Sequence, residues 1–115
     1  MGERIAARAE PVFIRPDYEL FRVAGAALLS DGRLVIANAG TYQLRYYSES
    51  GEFIRSVGGA GDGPGEFRNP LPPIVLSGDS IAVGDFRLAR LSIFDGAGDF
   101  VRTIPHQEAF TSAPI

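Results

Sequence analysis

The chain has no cysteine and no tryptophan, a single histidine, a single methionine, and no lysine among its eleven basic residues. Without cysteine, neither a disulfide framework nor a thiolate metal site can form. One histidine, His106, cannot build a His-based metal cluster or more than one member of a Ser/His/Asp set, and no G-x-S-x-G elbow accompanies it. The plainest reading of His106 is a surface residue with no role. No run of about twenty apolar residues is present to span a bilayer as a helix. The opening MGERIAARAE mixes charges and lacks the apolar stretch of about seven or more residues that a secretory signal needs. Met1-Gly2 is followed by Ala6 where Ser or Thr would be needed for myristoylation. A net charge of −3 and a pI of about 5.0 leave no coherent basic patch for a phosphate backbone, so nucleic acid is not an expected partner.

A repeat is present. Leu29 to Val57 aligns with Leu76 to Ile104 without a gap, at an offset of 76 − 29 = 47 residues. Leu34 and Ile36 match Ile81 and Val83. Leu44, Tyr46 and Tyr47 match Leu91, Ile93 and Phe94, and Gly51, Phe53, Ile54 and Arg55 match Gly98, Phe100, Val101 and Arg102. A period of roughly 40 to 50 residues belongs either to propeller blades or to two-helix repeats. The apolar residues come in runs of four to six rich in Val, Ile, Leu, Phe and Tyr, broken by Gly, Asp, Asn and Ser, which is the pattern of short strands. The expected strands are AGAALLS, RLVIAN, QLRYYS and EFIRSV in the first copy, and PPIVLS, SIAVGD, RLSIFD and DFVRTI in the second. Asp31-Gly32 and Ala97-Gly98 suit tight hairpins, because glycine reaches positive φ without steric cost.

In each copy the first two strands are apolar on both sides and the fourth alternates, with Phe53, Arg55 and Val57 expected on one face and Ile54 and Ser56 on the other. Strands covered on both faces read as continuous apolar runs, and outer strands carry charge that guards an open edge. The sequence therefore predicts an all-β chain of β-propeller blades, each a four-stranded antiparallel up-and-down sheet graded from buried to exposed. The expected organisation is an outer strand of a preceding blade with its linker at 10–22, a blade at 23–57, a Gly-rich crossing at 58–70, a second blade at 71–104, and the start of another linker at 105–115. A closed ring takes about four to eight blades, so this length is expected to be a fragment or one part of an assembly, such as three copies closing a ring.

The glycines of GGAGDGPGEFRNP, Gly58 to Pro70, do not follow G-x-G-x-x-G and precede no Gly-Lys-Ser/Thr. Their expected task is to let the backbone cross from one blade to the next. Asn38 and Asp85 hold equivalent positions at the ends of second strands, where a short Asn or Asp side chain can hold a loop in shape by accepting backbone N–H bonds. The loops after second and fourth strands leave one end of the blades, which gathers Asn38, Tyr42, Asp62, Glu66, Arg68, Asp85, Arg87 and Arg90 into a possible binding face.

VIANAGTYQLRYYSESGEFIRSVGG followed by GDGPGEFRNP resembles the NHL-type repeat of six-bladed β-propellers, and the bacterial six-bladed propellers most closely. The likeness covers about residues 10 to 106, and Gly59, Gly61, Gly63, Pro64, Gly65 and Phe67 carry its linker motif. It departs from the pattern at Pro105-His106. The resemblance implies a bacterial, exported or periplasmic protein, a source that the Arg-only, Ala- and Gly-rich composition of a GC-rich genome also suits. The expected function is a non-catalytic binding or scaffold section with no cofactor. Its expected partners are the remaining blades or further copies of the chain, with a protein or small ligand on the binding face. The alternative implied by catalytic propellers of similar repeat is one part of a metal-dependent, lactonase-like hydrolase or lyase, with the remaining ligands on other blades.

Overall fold

The computed structural model describes residues Leu20 to Pro105. Most of the outer strand and linker expected at 10–22, and the linker expected after Pro105, lie outside the described residues. Eight strands follow one another: β1 (Val23–Leu28), β2 (Leu34–Asn38), β3 (Gln43–Tyr47), β4 (Phe53–Gly58), β5 (Ile74–Val75), β6 (Ile81–Asp85), β7 (Arg90–Phe94) and β8 (Phe100–Pro105). They form two four-stranded antiparallel sheets in the orders β1-β2-β3-β4 and β5-β6-β7-β8. The chain is all-β and up-and-down within each sheet.

The 47-residue offset reaches into backbone detail. Leu34 pairs with Tyr47 as Ile81 pairs with Phe94, and a bulge interrupts β3–β4 at Tyr46/Tyr47 as another interrupts β7–β8 at Ile93/Phe94. Left-handed φ values recur in register: 92° at Gly51 and 94° at Gly98, 61° at Tyr42 and 54° at Ala89, 91° at Gly32 and 64° at Asp79. In the last pair an aspartate takes the left-handed position that Gly32 holds in the first copy, directly after Gly78, itself at φ 74°. Asp tolerates the left-handed region better than most residues, and the same bonds close both turns, Leu29 N–H to Arg33 O at 2.8 Å and Leu76 N–H to Ser80 O at 2.7 Å.

Cross-strand partners share a face, so Val35, Ala37, Leu44, Tyr46 and Val57 project from one side of the first sheet. There they meet Ile81, Val83 and Phe94 from the opposite face of the second, in one buried cluster that also takes in Leu29 and Phe67. Hydrogen bonds join the two sheets at the end away from the crossing. Ser30 donates its N–H and Oγ–H to the two carboxylate oxygens of Asp79 at 2.9 and 2.7 Å, and Arg55 Nη1 donates to Ala97 O at 2.8 Å and Asp99 Oδ1 at 3.2 Å.

Three expectations are corrected. The first strands are not the buried ones: β1 and β5 are edge strands of their sheets, leaving Leu28 62% and Ile74 57% exposed, whereas Val35, Ala37 and Val83 of the second strands are fully buried. Only two residues of PPIVLS pair as a strand, because the adjacent Pro72 and Pro73 have no N–H to donate. Phe53 does not share a face with Arg55 and Val57. The bulge sets Arg55 opposite Tyr46 but Phe53 opposite Tyr47, since an extra residue in one strand turns the following side chain over. The ring of Phe53 then packs edge-on to Tyr47 at 5.8 Å, with the Arg45 guanidinium 4.5 Å from its centroid.

Candidate functional site

The loops 39–42, 86–89 and 59–73 leave the same end of the two sheets. Asn38 and Asp85, the strand-ending pair, are both buried. Each ties the incoming linker to the loop that follows its own strand. Asn38 Oδ1 accepts the Phe21 N–H at 2.7 Å, and its Nδ2 donates to Thr41 Oγ1 at 2.8 Å. Asp85 accepts from the linker N–H groups of Arg68 (2.8 Å) and Asn69 (3.1 Å) and from the loop N–H groups of Arg87 (3.1 Å) and Leu88 (3.0 Å).

The neighbouring residues account for an amide in one copy and a carboxylate in the other. In the first loop Gly40 donates its N–H to Phe21 O at 2.7 Å, an approach that a Cβ at residue 40 would block, because it would overlap that carbonyl. In the second loop the equivalent residue is Arg87, whose N–H turns to the carboxylate instead. Thr41 gives the Asn38 amide an acceptor; its counterpart Leu88 has none to give, and its own N–H needs one. An acceptor-only side chain at residue 85 answers both N–H groups.

The crossing is held just as closely. Phe67 N–H bonds to Gly59 O at 2.8 Å and Gly61 N–H to Phe67 O at 3.1 Å, so that residues 62–66 form a side loop. Glu66 Oε1 accepts the Gly63 N–H at 2.9 Å. Arg90 reaches across from β7 and donates to three carbonyls of that loop, Asp62 O at 3.0 Å through Nη1, and Gly63 O at 2.6 Å and Glu66 O at 3.1 Å through Nη2. Gly58, at φ 102°, lies where a Cβ would stand 2.9 Å from the Phe67 ring. That ring is fully buried, 6.0 Å from Phe94.

Of the eight residues singled out in the sequence, Asp62, Glu66, Arg68, Asp85 and Arg90 come together around the crossing. Tyr42 joins them through its carbonyl, which accepts the Gly59 N–H at 2.8 Å. Asn38 ends β2 beside the first loop, and Arg87 is exposed on the second. Asp62 and Arg68 form an exposed ion pair at 2.8 Å. The Arg68 hydrogen bond holds the Asp62 carboxyl below its ordinary value, and Asp62 in turn raises Arg68. Sequence reasoning missed Phe86, 74% exposed at the tip of the second loop. The signal was a large aromatic where the other copy has Ala39. It also missed an open cavity of about 840 Å³ beside this end, walled by Leu71, Pro72, Ile74, Leu91 and Pro105 among others. Among the described residues no three His, Cys, Asp or Glu side chains gather as a metal site, and no helix is long and apolar enough to cross a membrane.

Two up-and-down four-stranded sheets stacked face to face, joined by a crossing from the last strand of one to the first of the next, are consecutive blades of a β-propeller. Residues 17–112 match the family described as 6-bladed beta-propeller, and the chain belongs to that family. Among solved structures it is similar to a Bacteroides fragilis protein described as exported, at 23% identity and a TM-score of 0.65, over 77% of this chain and 26% of that one. It is also similar to a Bacteroides caccae protein of unknown function, at 13% identity and a TM-score of 0.55, over 70% of this chain and 27% of the other. The chain thus spans about a quarter of the length of these structures. No curated protein matches it.

Proposed function

We propose that the chain is a non-catalytic binding and scaffold section of a six-bladed propeller, whose loop end meets a protein or peptide partner. The observation that carries this reading is the prior engagement of the polar side chains there. The Asp85 carboxylate is bonded to four backbone N–H groups, Arg90 to three carbonyls, and Asn38 and Glu66 to their own loops. A metal-dependent hydrolase or lyase would need some of these carboxylates free to coordinate a cation. What faces outward is Phe86 and Arg87 side by side, with the Asp62–Arg68 pair nearby. Aromatic and arginine side chains are the residues that protein interfaces favour. The NHL-like character of the repeat, and a bacterial, exported setting like that of the Bacteroides fragilis neighbour, belong to the same proposal.

The test pans a random peptide library against the chain and against a Phe86→Ser/Arg87→Ala variant. Peptides enriched on the first and lost on the second are expected. Peptides that do not distinguish the two would overturn the binding face, and calcium-dependent lactone hydrolysis abolished by Asp85→Asn would overturn the non-catalytic reading.

A further inference from the structure

Asp-Gly occurs three times in the chain, at Asp31-Gly32, Asp62-Gly63 and Asp95-Gly96. In such a pair the glycine nitrogen can attack the carboxyl carbon of the aspartate, because glycine has no Cβ to crowd the approach. Two conditions govern the attack. The nitrogen must be free of a hydrogen bond, and the carboxyl must be able to take a proton, since a carboxylate is a poor electrophile. The first two pairs fail both. Gly32 N–H is bonded to Leu29 O at 3.0 Å, and Gly63 N–H to Glu66 Oε1 at 2.9 Å. Asp31 is paired with Arg33 Nε at 2.8 Å and Asp62 with Arg68 Nε at 2.8 Å. The Arg33 N–H bonded to one carboxyl and the Arg68 guanidinium bonded to the other hold both below the usual carboxylate range.

Asp95-Gly96 meets both. Among the described residues Gly96 N–H donates to nothing, and Asp95 has no ion pair. Its carboxyl is held over the turn by backbone alone, Oδ1 accepting the N–H groups of Ala97 at 3.0 Å and Asp99 at 2.9 Å. We propose that Asp95-Gly96 is a self-modification site, at which the folded chain converts aspartate to isoaspartate and so releases a link between the blades. The Gly96 nitrogen bonds to Asp95 Cγ, the C–OH bond of the carboxylic acid breaks, and the nitrogen's proton leaves with that hydroxyl as water, closing a succinimide. Solvent water then opens the ring. Attack at Cγ restores aspartate; attack at the former backbone carbonyl leaves the chain running through Cγ, with Cβ inserted into the backbone and a free carboxylate beside it. The added carbon falls at the head of the turn whose Ala97 O and Asp99 Oδ1 take Arg55 Nη1 at 2.8 and 3.2 Å. Both oxygens of Asp95 that shape this turn change place, Oδ1 and the backbone O that accepts Gly98 N–H at 2.9 Å. The equivalent turn of the first copy has Ser48-Glu49 and cannot react in this way. There Ser48 Oγ accepts the Glu52 N–H at 3.1 Å, so a hydroxyl is enough to hold the turn.

The test incubates the 115-residue chain near neutral pH, folded and in urea, and locates isoaspartate by fragment-ion mass spectrometry of its peptides. Relative to its own rate in urea, Asp95 in the folded chain is expected to convert at least about tenfold faster than Asp31 or Asp62, each of which must first break a hydrogen bond and part from an arginine. The aged chain is expected to unfold at a lower urea concentration than the fresh one. Asp95→Ser/Gly96→Glu, which carries the turn of the first copy, is expected to keep its midpoint through the same incubation. Conversion at Asp95 no faster than at the other two pairs would overturn the site. An unchanged midpoint in chain converted at Asp95, or a loss that the double variant shares, would overturn the release of the link.

Discussion

Substituting Asn for Asp85 exchanges the strand-ending residue of the second blade for that of the first, and the two blades differ in what they can do with it. If the amide adopts the orientation of Asn38, its oxygen keeps the linker N–H groups of Arg68 and Asn69, and its NH₂ faces the N–H groups of Arg87 and Leu88. Two hydrogen bonds to a buried charge become donor-to-donor contacts. Bonds to charged groups contribute about 1.5–3 kcal/mol each; because one oxygen serves both, the lower end applies, and the loss is about 2–4 kcal/mol. With a urea slope of about 1–3 kcal/mol/M for a domain of this size, the unfolding midpoint falls by roughly 1–2 M. Restoring the partners of Asn38 then matters more than restoring the charge. Asp85→Asn/Arg87→Gly/Leu88→Thr gives residue 87 the approach that Gly40 makes to the preceding linker and gives the amide the hydroxyl acceptor of Thr41. It is expected to recover at least half of the loss, despite about 0.5–1 kcal/mol of added glycine entropy. Urea titrations of the native, single and triple variants, followed by circular dichroism, measure this. A single variant within about 0.5 kcal/mol of native, or a triple variant no better than the single, would show that Asp85 does not hold the loop in this way.

Phe67→Ala, by emptying a fully buried socket between the blades, is expected to destabilise by about 3–5 kcal/mol, read as a lower urea midpoint; a loss under about 1 kcal/mol would mean the socket collapses freely. Gly40→Ala is expected to cost about 1–3 kcal/mol, because its Cβ would meet the Phe21 carbonyl and ring, whereas Gly59→Ala finds open space and strains only its φ of 140°. Burial pushes the Tyr46 hydroxyl up to about 12. The buried neutral form is favoured, so this stability is complete below the unfolded value near 10 and is lost as pH rises from about 10 to about 12. Urea midpoints at pH 8 and 11 are expected to diverge in the native chain and to converge in Tyr46→Phe, which also removes a buried hydroxyl without a partner; an undiminished divergence would place the effect elsewhere.

The sheet strands were legible because hydrophobic alternation and turn residues recur at a fixed offset, and two copies of a pattern are better evidence than one. The bulges at Ile54 and Val101 were not. Strict alternation cannot register an extra residue, and Phe53 consequently reads onto the wrong face. Burial of β1 was overstated for a different reason: Ala and Val are apolar wherever they stand, and the exposure of an edge depends on neighbours beyond the sheet. Asn38 and Asp85 stood out by position, yet the distinction between them depends on Gly40, Thr41, Arg87 and Leu88, each within a few residues and readable only once the linker is seen to lie against the loop. Arg90 shows the limit most clearly. On paper it is one more charge on a mixed surface, and in the fold its guanidinium fastens three carbonyls of a loop 24 to 28 residues away.

The contact between the sheets is head-to-tail. The face of the first that carries Leu44 and Val57 meets a different face of the second, the one that carries Ile81 and Phe94. Such a contact has polarity, like a monomer in a growing polymer, and nothing in it stops addition except curvature. Two units in a row share one junction, half a junction per unit; six units bent into a ring share six, one for each. Where stability is a sum over nearest neighbours, closing the circle doubles the cohesive contacts per unit without a new kind of contact. The last junction therefore rewards the whole array, and a blade that is marginal in an open row is held from both sides once the row becomes a ring.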